Sequence, residues 1–135
     1  GGKLPYGYLG LGEFVAFLFF GIVATAGTAY VQIEQVPFEA WLAGSLAGCF
    51  AAAIMLVNNI RDHELDARVG KKTLAVRIGD LPARIVFVVL LAGAYGMIVP
   101  FALLYVWAPA VFFTLLISAP VALIVLLAQT PGEPV

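Results

Sequence analysis

Trp41-Leu42-Ala43-Gly44-Ser45-Leu46-Ala47-Gly48-Cys49-Phe50-Ala51-Ala52-Ala53-Ile54-Met55-Leu56-Val57 carries no charged residue, and Asn58-Asn59-Ile60-Arg61-Asp62-His63-Glu64-Leu65-Asp66 follows it without a breaker. A run of this length and polarity is a membrane-crossing helix that emerges from lipid as a polar one, since a hydrocarbon core of about 30 Å takes about 20 apolar residues. Composition agrees. Apolar residues make up 63% of the 135 and charged residues 11%, against roughly 45–50% and about 25% in ordinary globular chains. Mean hydropathy is +1.05. A soluble domain of this size could not bury so much apolar surface, and a disordered chain would be far more polar. The fold class is therefore all-α, a multi-pass transmembrane helical bundle in a lipid bilayer.

Working outward, four helices are expected, at about 11–31, 41–66, 83–106 and 108–128, in one domain over 1–135. A short acidic turn with Glu34, Pro37 and Glu39 joins the first two, and a tight hairpin at Trp107 and Pro109 joins the last two. Six of the seven Lys and Arg fall between Arg61 and Arg84, so the positive-inside rule puts the loop at 58–82 in the cytoplasm. Trp41 and Trp107 then lie where an outer aromatic belt would sit. A net charge of −1 gives no basic surface for nucleic acid. The chain begins at Gly1 and ends just after a turn-like Thr130-Pro131-Gly132-Glu133-Pro134, as a segment of a longer protein would.

Small residues mark close helix approaches: Gly44, Gly48 and Ala52 on the second helix, Ala92 and Gly96 on the third. Pro100 and Pro120 lie inside the third and fourth helices and should kink them. Cys49, the single cysteine, excludes an internal disulfide and reads as packing. Glu13 falls near the N-terminus of the first helix, where a negative charge is favoured, and reads as structural. Thr25, Thr28, Tyr30 and Gln32 could line a cavity or bond across helices.

The chemistry lies in the polar continuation. Asn58, Asp62 and Asp66 recur every four residues and form one ridge on a helix, where two like charges repel. A cation offsets that repulsion. The donors are all oxygen, which suits Mg2+ held by one or two carboxylates plus substrate phosphates. His63 is off the ridge, and zinc would need several nitrogen or sulfur ligands. Gly70 fits a helix C-cap. Lys71, Lys72 and Arg77 follow it, as they would if a polyanion sat between them and the metal. Thr73 to Ile78 reads as an extended cover over the site, and Asp80 as an N-cap with Pro82 in the first turn of the next helix.

The run Asn58-Asn59-x-Arg61-Asp62-x-x-x-Asp66-x-x-x-Gly70-Lys71-x-Thr73-Leu74-Ala75-Val76-Arg77-x-Gly79 resembles the second aspartate-rich motif of the UbiA superfamily of intramembrane prenyltransferases. In detail it is similar to the MenA branch, the 1,4-dihydroxy-2-naphthoate polyprenyltransferases of menaquinone synthesis. Tyr8-Leu9-Gly10-Leu11-Gly12-Glu13, with Phe19-Phe20-Gly21 and Thr28, resembles that branch too. The resemblance implies about nine transmembrane helices around a cavity, of which this chain supplies four. It implies two facing aspartate-rich motifs that hold Mg2+ and the diphosphate of a polyprenyl diphosphate donor. Asp62 and Asp66 match the catalytic acids of the second motif, with Asn58 beside them as a metal ligand and Arg61, Lys71, Lys72 and Arg77 as diphosphate ligands. The first motif, an Asn-Asp-x-x-Asp-like run, is not in this sequence, so the remainder of the same chain is an expected partner and the isolated segment is expected to be inactive. The implied reaction transfers the prenyl group to 1,4-dihydroxy-2-naphthoate with decarboxylation, giving demethylmenaquinone, in the cell (inner) membrane. A superfamily member with another aromatic acceptor is one alternative. A cation-transport module is the other, but its carboxylates would sit at mid-membrane.

Overall fold

The computed structural model describes residues 10–104 and 108–128. It contains α1 (Gly12–Ile33), α2 (Phe38–Arg61), α3 (His63–Arg68), α4 (Leu74–Ile78), α5 (Asp80–Leu104) and α6 (Ala108–Ala128), and no strand among the described residues. α1, α2 and α5 are long and apolar enough to cross a membrane. Exposed Phe14, Phe20, Val31, Ile54, Val89 and Leu103 give these helices a surface suited to lipid. The chain divides into two compact units, Gly1–Met97 and Ile98–Val135. The second holds the end of α5 and all of α6, with Pro100 and Pro120 inside their helices. The hairpin expected at Trp107 lies outside the described residues, and Pro109 falls in the first turn of α6.

Helix ends follow local chemistry. α1 stops where Glu34 turns left-handed (φ 54°) and donates its N–H to the Tyr30 carbonyl at 2.8 Å. α2 starts three residues earlier than the apolar run, because Pro37 is extended (ψ 161°) and its carbonyl accepts from Ala40 N–H at 3.0 Å. Glu39 thus joins the first turn of α2 rather than the loop, where its charge faces the positive end of the helix dipole. Trp41 is half-exposed in that turn. The polar continuation is not one helix to residue 66: α2 ends at Arg61, Asp62 adopts φ −96° and ψ 5°, and α3 restarts at His63.

The first unit is organised by a hairpin of α1 and α2 whose backbones touch. A Cβ on Gly21 would land on the carbonyl oxygen of Gly44 and the backbone of Gly48, and one on Gly48 would lie 2.7 Å from the carbonyl of Phe17. Gly44 and Gly48 are the small residues picked out by their spacing, and Ala52 and Cys49 are buried beside them. The α1 side of the contact is a π-helical segment, Phe17–Val23, a wider turn that is rare and short in proteins. Nothing in the amino-acid pattern announced it. At the second small-residue pair, no contact forms among the described residues: Ala92 is exposed, and a Cβ on Gly96 would meet nothing within 4 Å. α5 is tied to α2 by bulkier groups, with the Phe50 and Tyr95 rings edge to face at 5.8 Å. Thr28 bonds within its own helix, Oγ1 donating to the Ala24 carbonyl at 2.7 Å. With Gln32, Gly27 and Val31 it lines a cleft of about 390 Å3 along α1.

Gly21→Ala should destabilise the α1/α2 pair by about 2 kcal/mol, a typical cost of overpacking, and lower the melting temperature in detergent. Gly27→Ala is the control, since its Cβ meets nothing within 4 Å and alanine favours the helix.

Candidate functional site

Gly70 is left-handed (φ 76°). Its N–H donates to the Ala67 carbonyl at 3.2 Å, and Lys71 N–H donates to the Asp66 carbonyl at 2.9 Å. These two bonds are a Schellman ending for α3, as the C-cap reading of Gly70 expects. The turn folds the chain back so that Lys71 Nζ lies 3.4 Å from both carboxylate oxygens of Asp66. Asp66 is 8% exposed, so this ion pair is the buried end of the acidic ridge.

The ridge survives the helix break. Asp62 N–H donates to the Asn58 carbonyl at 3.0 Å and Asp66 N–H to the Asp62 carbonyl at 2.8 Å. The backbone therefore keeps the four-residue steps from Asn58 through Asp62 to Asp66. The three side chains differ in setting: Asn58 is exposed, Asp62 is half-buried and Asp66 is buried. Arg61 grips Asp62 with two bonds, Nε to Oδ1 at 2.8 Å and a terminal nitrogen to Oδ2 at 2.9 Å. The guanidinium hydrogen bond holds the Asp62 carboxyl below the usual aspartate range. Arg61 is thus engaged with the neighbouring acid in this structure.

The expected extended cover is instead a short helix, α4. Thr73 is extended (ψ 166°) and 2% exposed, and its Oγ1 accepts from Val76 N–H at 3.4 Å. That cap starts a helical turn where mixed polarity had suggested an open strand. Gly79 (φ 89°) ends it, and α5 begins at once. Asp80 is the first residue of α5 rather than its N-cap: the Gly79 carbonyl accepts from Ala83 N–H at 3.2 Å, while the Asp80 carboxylate is drawn one turn on to Arg84 Nε at 2.8 Å. Arg77 and Lys72 are exposed, and Arg77 Nε donates to the Lys72 carbonyl at 3.3 Å. Gly10 closes over this pair, since a Cβ there would lie 3.0 Å from Arg77 Cδ. His63 Nδ1 bonds the Ile60 carbonyl at 2.9 Å, away from the ridge carboxylates.

Among the described residues, no group of three or more His, Cys, Asp or Glu side chains converges to hold a metal ion. The donors nevertheless suit a hard cation: two carboxylates one turn apart, each held by a cation a metal could replace. The Asp66 contacts, at 3.4 Å, are well beyond the 2.7–2.9 Å of a tight charge-assisted bond. Phosphate oxygens and residues elsewhere would complete the coordination.

One polar contact was not picked out from the sequence. Glu13, in the first turn of α1, is 6% exposed, and its Oε1 accepts from Asn59 Nδ2 at 2.7 Å. Glu13 Oε2 is buried with no hydrogen-bond partner among the described residues. The signal was available in part, as an acid at a membrane helix end and a second Asn beside Asn58, but their pairing spans 46 positions.

Gly70→Ala tests the turn. Its Cβ would meet nothing within 4 Å, so the cost is the left-handed backbone alone, about 1 kcal/mol. Amide exchange at Lys71 should then speed up, with exchange in α2 unchanged.

Comparison with known proteins follows the same lines. A 1,4-dihydroxy-2-naphthoate octaprenyltransferase of Mycobacterium tuberculosis is 44% identical over 94 residues, which is 70% of this chain and 32% of that protein. Proteins of the same name from Haemophilus influenzae and Mycobacterium leprae are 41% and 40% identical, over 69% and 67% of this chain and 30% and 31% of theirs. The chain therefore spans about a third of the length of these curated relatives. No solved structure matches it. The UbiA prenyltransferase family matches residues 3–132. With apolar spanning helices, an acidic ridge at a helix end and a match over nearly its whole length, the chain is a membrane protein that belongs to the UbiA prenyltransferase family.

Proposed function

We propose that this chain forms part of an enzyme that transfers a polyprenyl group from polyprenyl diphosphate to 1,4-dihydroxy-2-naphthoate, in menaquinone biosynthesis. The observation that carries the reading is the Asn58–Asp62–Asp66 ladder, which ends at a buried Asp66 with Lys71 folded back beside it. The names of the similar proteins point to the same donor and acceptor.

In this reading Asp62 and Asp66, with the amide oxygen of Asn58, would hold Mg2+. The ion would supply charge neutralisation for the departing diphosphate. Lys71, Lys72 and Arg77 bind diphosphate oxygens, and Arg61, beside Asp62, is placed to add a fourth cation. Their charges grow more valuable as the allylic C–O bond breaks and negative charge collects on the leaving group. The apolar bundle houses the prenyl chain and keeps water from the allylic carbon. The electron-rich naphthoate ring forms the new C–C bond at the carbon bearing the carboxylate. CO2 then leaves, giving the demethylmenaquinone product in its quinol form. The loop at 58–82 faces the cytoplasm of a cell-membrane enzyme, where Mg2+ is supplied and the released diphosphate can leave. The remaining ligands for the metal come from outside residues 1–135, and the chain by itself is inactive.

In the full-length protein, Asp62→Asn or Asp66→Asn should lower transfer by on the order of a hundredfold, since several kcal/mol of charge stabilisation depends on the metal. Product formation across an Mg2+ titration measures it, with membrane insertion checked in parallel. Wild-type rates from either variant would overturn the assignment of the ridge.

A further inference from the structure

A carboxylate buried in a membrane hairpin with one oxygen unsatisfied is expensive, and each such group calls for an explanation. Glu13 is that group. It is fixed in place: the Asn59 amide holds Oε1 at 2.7 Å, and the neighbouring Gly12 packs so closely that a Cβ on it would lie 2.8 Å from Met55 Cε. Asn59 lies on the last turn of α2, beside Asn58 and just before the break at Asp62. The Asn58 carbonyl on that turn is the one that receives Asp62 N–H. The rotation of this turn about the helix axis thus sets where Asp62, and through it Asp66, can point. An apolar contact would be slippery there, whereas a short bond across 46 positions of sequence fixes one rotation.

We propose that Glu13 is a positioning residue for the acidic ridge, acting through Asn59: it clamps the end of α2 so that the Asp62 and Asp66 carboxylates converge on one cation. This rests on the metal-dependent prenyltransferase reading. Glu13 touches neither metal nor substrate in this account. Its part is that of an outer partner that orients ligands, and loss of such a partner typically weakens metal binding by about 10–100-fold.

The test uses the full-length protein in detergent and Mn2+ as a spectroscopic substitute for Mg2+. Free Mn2+ is followed by electron paramagnetic resonance, prenyl transfer to 1,4-dihydroxy-2-naphthoate is assayed in parallel, and thermal melting reports folding. Glu13→Ala and Asn59→Ala should each weaken Mn2+ binding about tenfold, and the double variant should be no weaker than either single one. Glu13→Gln keeps an oxygen for the Asn59 amide and should stay within about threefold of wild type. Unchanged Mn2+ binding by Glu13→Ala with a lowered melting temperature would show a purely structural contact and overturn the proposal. So would a Gln variant as weak as the Ala variant, or additive losses in the double variant. Wild-type protein that binds Mn2+ but transfers no prenyl group would instead overturn the substrate assignment and leave the clamp standing.

Discussion

The backbone contact of Gly21 with Gly44 and Gly48 is the constraint on which the rest of the first unit depends. Helices in lipid gain little from hiding apolar side chains, since the solvent is as apolar as they are, and association falls to close packing and a few polar bonds. Three glycines at one crossing bring α1 and α2 near enough for both. From that crossing the hairpin runs toward its polar end, where Gly12 packs on Met55 and Glu13 reaches Asn59. The close approach accompanies the side-chain bond from α1 to the end of α2, that of Glu13 with Asn59.

The charged residues gather at that end because lipid excludes them elsewhere. Two carboxylates in neighbouring turns repel, and they persist where counter-ions are at hand. Arg61 and Lys71 serve in this structure. Their hold is graded: the Arg61 pair is tight but exposed, while the Lys71 pair is sheltered but loose. Neither is the short, fully buried ion pair that would lock the acid to its partner. The Schellman turn at Gly70 and the Thr73 cap shape the return of the chain, so that Lys71 comes back to Asp66 while Lys72 and Arg77 stay exposed.

Much of this was legible in the residues. Charge-free runs set the spanning helices, because a helix carries its backbone through hydrocarbon with N–H and C=O groups satisfied within the segment. Gly44 and Gly48 announced a close contact, Gly70 a left-handed cap, and the Asn58–Asp62–Asp66 interval a ridge. The misreadings share a cause. Thr73–Ile78 lacked helical periodicity, yet one hydroxyl cap was enough to start a turn. Ala92 and Gly96 have the spacing of a contact, but no described residue uses it, since spacing names no partner. Asp80 looked like a cap until Arg84, one turn away, claimed its carboxylate.

The sequence by itself determined what is local: which segments lie in lipid, which residues share a helix face, where the chain must turn, and which family motif it bears. Those follow from a periodicity of 3.6, from the polarity of single residues and from backbone limits at glycine and proline. Tertiary structure alone decided the break at Asp62, the π-helical turn at Phe17–Val23, the partner of Gly21 and the pairing of Glu13 with Asn59. The last two depend on which of several chemically equivalent groups, dozens of positions away, comes into contact, and no local pattern encodes that choice.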